Sequence, residues 1–276
     1  MWVITNHLSM ERNTLTVPVA IILAGALIGG AVIFSNMRAP KTPTTDAPQA
    51  AEKVAPDISI RPVSASDFIV GNPDAPALLV EYSDTECPFC KIFHTTLNRF
   101  VDEYGKDGKF AWVYRHFPLQ VLHERAHKEA EATECAAELG GNAKFWEFTN
   151  RLYSVTSSND SLDPAELPKI AQYVGLNVSD FNACLSSGRT ASKVEEDYQE
   201  AVKAGGQGTP FSIFLLKSAP SQELRALITN MNAEFLKRQQ YGSPDVIGFS
   251  KDERKLFVSG ALPYEMLKGV IDVLVK

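Results

Sequence analysis

The run Ala77-Leu78-Leu79-Val80 leads through Glu81-Tyr82-Ser83 into Cys87-Pro88-Phe89-Cys90, and this junction constrains the fold more than any other stretch of the chain. A continuous apolar run of that length suits a central strand covered on both faces. Pro88 fits the first turn of a helix, where its missing N–H costs no hydrogen bond. The cysteine pair is therefore expected at a strand-to-helix junction, where unpaired N–H groups and the positive end of the helix dipole favour a thiolate. On that reading Cys87 is the exposed nucleophile. Cys90, one turn deeper, can attack a mixed disulfide and release the substrate. Two other readings of the spacing stay open: half of a zinc site, with His94 giving C-x2-C-x3-H, or an inert structural disulfide.

The chain around this junction has three parts. Val17 to Phe34 is an uncharged stretch of 18 residues, flanked by Arg12 on one side and by Arg38 and Lys41 on the other. As a helix it spans roughly 27 Å, close to a bilayer core, and no small-x-small cleavage site follows at once, so 17–34 reads as an uncleaved transmembrane anchor behind an N-terminal segment 1–16. The flanking charges slightly oppose an outward-facing domain. Met10 is an alternative start. Residues 35–66 carry Pro40, Pro43, Pro48, Pro56 and Pro62 among Ala, Thr and Lys, a composition expected of a flexible linker. The remaining 67–276 form the globular domain. With 33 acidic and 27 basic side chains the net charge is -6, which leaves no global basic field for nucleic acid.

Within that domain, strands are expected at Phe68-Ile69-Val70, at 77–83, at Phe110 to Phe117, at Phe211 to Leu216 and at Leu256-Phe257-Val258. Helices are expected from Cys87 to Gly105, through a block from about His123 to Phe181 broken at Gly140-Gly141, at Ser157 to Asp160 and at the prolines, from Arg189 to Ala204, and from Pro263 to Leu274. This order indicates an α/β sheet with an inserted helical block at about 120–188. A second insertion, about 217–255, carries Leu224, Leu227, Ile228, Met231 and Phe235 at amphipathic helical spacing; packing on its own domain is the simpler expectation, docking of a partner or covering of the substrate groove the other.

The stretches VEYSDTECPFC, VYRHFPL, GGQGTPFSIF and SGALPYE resemble the DsbA-like thiol-disulfide oxidoreductases, and the likeness covers essentially Asp67 to Lys276. The resemblance implies a thioredoxin-like fold with a helical insertion. It also implies a cis-proline loop in which Thr209 and Pro210 face the cysteines and bind the substrate chain, with Pro88 and Phe89 contributing from the other side. Glu81, following Leu79 and Val80, is expected to be a buried acid that accepts the proton Cys90 must lose; an exposed strand end paired with a lysine is the other reading. Asp84 and Glu86, as loop residues, are expected to tune the surface potential and oppose the thiolate. Cys135 and Cys184 are expected to form a structural disulfide, with separately buried thiols as the alternative. His123 and His127, at i, i+4 spacing, read as an ordinary solvated helix pattern, and no metal site is expected.

The function expected from these features is a membrane-anchored oxidoreductase on the extracytoplasmic side, periplasmic or cell-surface. It would introduce or exchange disulfides in folding proteins, with no cofactor beyond its own Cys87–Cys90 disulfide and with a membrane redox partner to restore it. A membrane-linked reductase or isomerase, and a thioredoxin-fold binding module with a structural disulfide, are the alternatives.

Overall fold

The computed structural model describes residues 55–238 and 246–276; the predicted anchor at 17–34 and most of the predicted linker lie outside them. No helix of the described residues is long and apolar enough to cross a membrane.

Among the described residues six strands form one sheet: β1 (Phe68–Gly71), β2 (Ala77–Ser83), β3 (Phe110–His116), β4 (Phe211–Leu215), β5 (Ile247–Phe249) and β6 (Lys255–Ser259), in the order β1-β3-β2-β4-β6-β5. Only β2 and β3 run parallel among the paired strands, with Leu79 opposite Trp112 and Glu81 opposite Tyr114. A parallel pair needs a crossover. It is supplied by α1 (Pro88–Phe100), which continues as a wider turn over Val101–Gly105. Gly71 closes β1 against β3 at φ +95°, where an added Cβ would lie 2.4 Å from the Phe110 carbonyl oxygen; glycine is what lets the two strands approach.

Every residue of β2 is buried, as a strand covered on both faces requires. The period of two then divides its side chains. Ala77 and Leu79 enter the larger core with Phe93, Leu97, Trp112, Tyr114 and both cysteines of the pair, whereas Leu78, Val80 and Tyr82 enter the core on the opposite face with Val113, Ile213 and Ala201. Glu81 and Ser83 therefore belong to the cysteine side.

The helical block comprises α2 (Ala126–Val155), α3 (Glu166–Tyr173) and α4 (Val178–Ser187), followed by α5 (Ala191–Lys203). The break expected at Gly140-Gly141 is a kink at Gly141, φ 73°. The block has a core of its own, built by Ala132, Phe148, Leu152, Ile170 and Phe181 around Cys135 and Cys184. Those two cysteines are joined, with Cα atoms 5.8 Å apart. The second insertion forms α6 (Gln222–Arg238), whose Leu224, Ile228, Met231 and Phe235 are buried in the larger core beside α7 (Tyr264–Leu274). Its apolar stripe thus packs on its own domain.

One boundary moves. Composition placed the whole of 35–66 in the flexible linker, yet the end of that segment docks on the domain: Ile58 is buried, the Pro56 carbonyl accepts from Lys251 N, and Arg61 reaches Glu200 at 2.7 Å and Asp197 at 2.6 Å. Arg115, fully buried on β3, completes the network by donating to Asp67 and Glu200 at 2.8 Å each. Local composition could not reveal these partners, which stand more than 130 residues away in the chain.

Candidate functional site

Cys87 occupies the residue before α1 with extended backbone (φ -77°, ψ 122°), Pro88 opens the first turn, and Lys91 N donates to the Cys87 carbonyl at 3.1 Å. The N–H groups of that first turn have no helical acceptor and face the sulfur. Cys87 is 5% exposed and Cys90 is wholly buried. The nucleophile expected to stand open is thus accessible only at its edge, because a second loop covers it. That loop carries the cis Thr209–Pro210 peptide, and Cys87 Sγ lies 3.4 Å from the Thr209 carbonyl oxygen. Phe89 is 61% exposed and forms the outer lip.

The two thiols differ sharply in acidity. A hydrogen bond from the Cys90 thiol pulls Cys87 down to about 6 against the opposing effect of burial, and the Thr209 side chain with the backbone N–H groups of Cys90 and Phe89 adds to it. Burial pushes Cys90 well up, and the Cys87 and Glu81 charges push the same way. One sulfur is built to carry charge, the other to hold a proton.

Beneath Cys90 lies a buried polar cluster. Glu81 is fully buried, accepting from Ser83 Oγ at 2.8 Å and from Trp112 Nε1 at 2.9 Å. No lysine meets it. Burial raises its carboxyl to about 8 even though these two hydrogen bonds pull the other way, so it is protonated at neutral pH. Ser83 also lies 3.1 Å from the Tyr153 hydroxyl, and its own hydroxyl, when turned from Glu81, is placed to donate to the Cys90 sulfur and favour its thiolate. Ser83 thus stands between Cys90 and Glu81. Its sequence signal was the strand period that puts positions 81 and 83 on one face.

Asp84 and Glu86 do not tune the surface, because both are buried. Asp84 N donates to Cys90 Sγ at 3.4 Å, and the Asp84 carbonyl accepts from Cys87 N at 3.2 Å. The Asp84 carboxylate accepts from Glu86 N and Leu119 N at 2.8 Å each and faces His123 Nδ1 at 2.9 Å. Glu86 meets Glu129 of α2, whose carboxyl is raised to about 9 by burial and by Glu86, so Glu129 keeps its proton at neutral pH. Covering this loop is a second one in which Ser158, Asn159 and Asp160 all have positive φ (67°, 55° and 60°). Left-handed backbone at three consecutive non-glycine residues is costly. It is held by Asn159 N donating to the Glu86 carbonyl at 2.7 Å and by the Asp160 carboxylate capping Glu124 N and Arg125 N.

His123 and His127 share no helix face, since α2 begins only at Ala126. His123 is buried and His127 lies 3.2 Å from Glu131, so the solvated-helix reading fails for His123. Among the described residues Cys87, Cys90 and His94 do not converge as a metal donor set. His94 instead sits 2.6 Å from Asn150, and burial lowers its imidazole to about 4, which keeps it neutral. His116, Glu134 and Asp197 do converge, all buried. Asp197 already accepts from Arg61 at 2.6 Å and Lys193 at 2.7 Å, and two adjacent cations make that cluster an ion-pair network rather than a metal centre.

A family model described as Thioredoxin matches residues 64–215, a little over half of the chain. Among solved structures, Wolbachia pipientis alpha-DsbA1 is similar with a TM-score of 0.56 at 22% identity, over 77% of this chain and 92% of that one. Pseudomonas aeruginosa DsbA2 gives 0.54 at 22% over 77% and 96%, and oxidised BdbD from Bacillus subtilis 0.50 at 22% over 58% and 84%. At such identities the likeness is one of fold: an α/β thioredoxin-like sheet with a helical insertion. Among curated proteins, a Na(+)/H(+) antiporter NhaA 1 of Mycolicibacterium gilvum is 33% identical over 154 residues, 55% of this chain and 24% of the antiporter. An NhaA 3 of Salinispora tropica is 33% identical over 144 residues, 52% and 21%. The chain spans about a quarter of the length of these curated relatives, and the transport in their names is a property of those proteins.

Proposed function

The chain belongs to the thioredoxin family, and from that premise we propose that it is a DsbA-type thiol-disulfide oxidoreductase that introduces disulfides into folding proteins. The observation that carries this reading is the asymmetry of the pair: Cys87 at the surface edge with its thiol drawn down to about 6, Cys90 wholly buried with its thiol pushed up. In the oxidised enzyme a substrate thiolate attacks Cys87 Sγ, the Cys87–Cys90 bond breaks, and Cys90 leaves and takes a proton. A second substrate thiolate then attacks the substrate sulfur of the mixed disulfide and expels Cys87 as a thiolate, an easy leaving group at that acidity. Two electrons have moved from substrate to enzyme.

Glu81 and Ser83 serve the Cys90 proton. The Glu81 carboxyl hands its proton through the Ser83 hydroxyl to departing Cys90, and on reoxidation the same path returns it. Thr209 and Pro210 hold the substrate chain opposite Pro88 and Phe89. No cofactor is required beyond the cysteine pair, and a membrane oxidant accepts the two electrons. An extracytoplasmic location is supported by the Cys135–Cys184 bridge, a bond that persists in oxidising compartments, and the uncharged run of residues 17–34 would supply the tether.

Equilibration of the protein against glutathione, with mass tagging of free thiols, tests the reading. Cys87 and Cys90 are expected to cycle at a potential between about -270 mV and about -120 mV, the values for thioredoxin and for DsbA. A lower value supports a reductase, and a pair that never cycles supports a binding module.

A further inference from the structure

Resting on the thiol-exchange reading, we propose that His123 is a positioning residue for the reactive sulfur: paired with buried Asp84, its imidazolium supplies the positive charge that favours the Cys87 thiolate. Asp84 stands three residues before Cys87 and is bonded to the surroundings of both sulfurs, through its amide to Cys90 Sγ at 3.4 Å and through its carbonyl to Cys87 N at 3.2 Å. It is 1% exposed, and an unpaired carboxylate there would oppose a thiolate at short range. His123 Nδ1 lies 2.9 Å from Asp84 Oδ2 and, once protonated, puts a positive charge against that carboxylate. Arg125, two residues on, donates its guanidinium to the Leu162 carbonyl instead.

The groups facing His123 come from three elements. Asp84 lies in the loop before α1, Cys87 at the start of α1, and Asp160 in the left-handed loop after α2. Burial pulls the imidazole down, but the Asp84 hydrogen bond and charge, the Cys87 thiolate and Asp160 together leave it above its ordinary value. Coupling between two protonation sites is reciprocal. A thiolate that favours the imidazolium is favoured by it in return. The left-handed loop has a place in this arrangement, since Asp160 fixes Glu124 N and Arg125 N and thereby the turn that presents His123.

The test is a pH titration of the full chain in detergent, reading the Cys87 thiolate by ultraviolet absorbance in the reduced protein and the His123 ring by NMR in both redox states. His123→Gln, which keeps a hydrogen bond to Asp84 without the charge, is expected to raise the Cys87 pKa by about half a unit or more, roughly a threefold loss of thiolate well below the pKa. His123→Lys is expected to recover most of that loss. In the wild type, which needs no substitution to fold, the His123 ring is expected to titrate lower once Cys87 and Cys90 are oxidised, because the thiolate is gone. An unchanged Cys87 titration in His123→Gln, or an identical His123 titration in both redox states, overturns the proposal. If mass tagging shows that Cys87 and Cys90 never form a disulfide, the thiol-exchange reading falls, and the Cys87 titration alone decides the role of His123.

Discussion

The molecule holds two cysteine pairs with nearly equal burial and opposite surroundings. Cys135 and Cys184 link α2 to α4 inside the apolar core of the helical block, where the nearest polar contacts of their sulfurs are the Thr190 and Glu138 oxygens at 3.9 Å. Cys87 and Cys90 sit at the end of β2, where backbone N–H groups, a cis-proline loop, Ser83 and Asp84 all meet the sulfurs at hydrogen-bonding distance. Cys90 is as buried as Cys184. Burial alone therefore does not distinguish the two pairs; the polar groups buried with the sulfurs do.

The largest effects are expected on exchange itself. Cys87→Ala should abolish disulfide transfer, whereas Cys90→Ala should accumulate mixed disulfides through Cys87, because the resolving thiol is missing. Non-reducing electrophoresis with a thiol substrate reads both. Equal trapping by the two variants would break the asymmetry on which the comparison stands.

The other pair should fail in the opposite way. Replacing Cys135 and Cys184 by serine opens a loop of 49 positions, and the chain-entropy estimate puts the loss of stability at about 4 kcal/mol. Denaturant unfolding should show that loss while the folded variant exchanges disulfides at the wild-type rate. Peptide mapping under mild reduction should likewise label Cys87 and Cys90 and spare Cys135 and Cys184; labelling of all four together counts against a structural bridge.

Much of this contrast was legible in the sequence. The apolar run before Cys87 gave the central strand, Pro88 the helix start, and the glycine pair the kink in α2. Glu81 was readable because a carboxylate inside an apolar strand needs compensation. Asp84, Glu86 and His123 were misread because they lie in polar loops, and a polar loop looks solvated until something covers it. What covers them is the loop 157–161, some seventy residues beyond Asp84 and Glu86 and under forty beyond His123, whose backbone hydrogen bond to Glu86 cannot be inferred locally. β5 was missed for another reason: Ile247-Gly248-Phe249 is too short to show alternation.

Glu81 gives the next largest effect, and its sign can be worked out. In the folded chain the carboxyl titrates near 8, against 4.5 ordinarily. Between those pH values the folded chain keeps a proton that the unfolded chain has lost, so wild-type stability falls as pH rises from about 4.5 to about 8 and is level above. Glu81→Gln removes that slope. At pH 7 the variant should gain at most about 3 kcal/mol, less whatever its amide nitrogen fails to recover from Ser83. Exchange should slow roughly a hundredfold, since Cys90 has lost its proton partner. A variant with the same pH slope and the same exchange rate as wild type would return Glu81 to a purely structural role.

The smallest effect is expected at Phe89, and it sharpens the comparison by adding charge to one pair only. Phe89→His places an imidazole beside Cys87 on a side chain that is 61% exposed in the wild type, so water screens it more than it screens buried His123. Whatever favours the Cys87 thiolate stabilises the reduced enzyme and makes its disulfide a stronger oxidant. The gain is expected to be about 30 mV, equivalent to about 1.4 kcal/mol. It should be present at pH 6, where the imidazole is charged, and absent at pH 8, since an unperturbed histidine titrates at about 6.5. Measuring the glutathione equilibrium at both pH values reads the difference, while the Cys135–Cys184 bridge, lying in another core, serves as the internal control. An equal shift at both pH values would mean that the imidazole acts by altering the loop rather than through its charge.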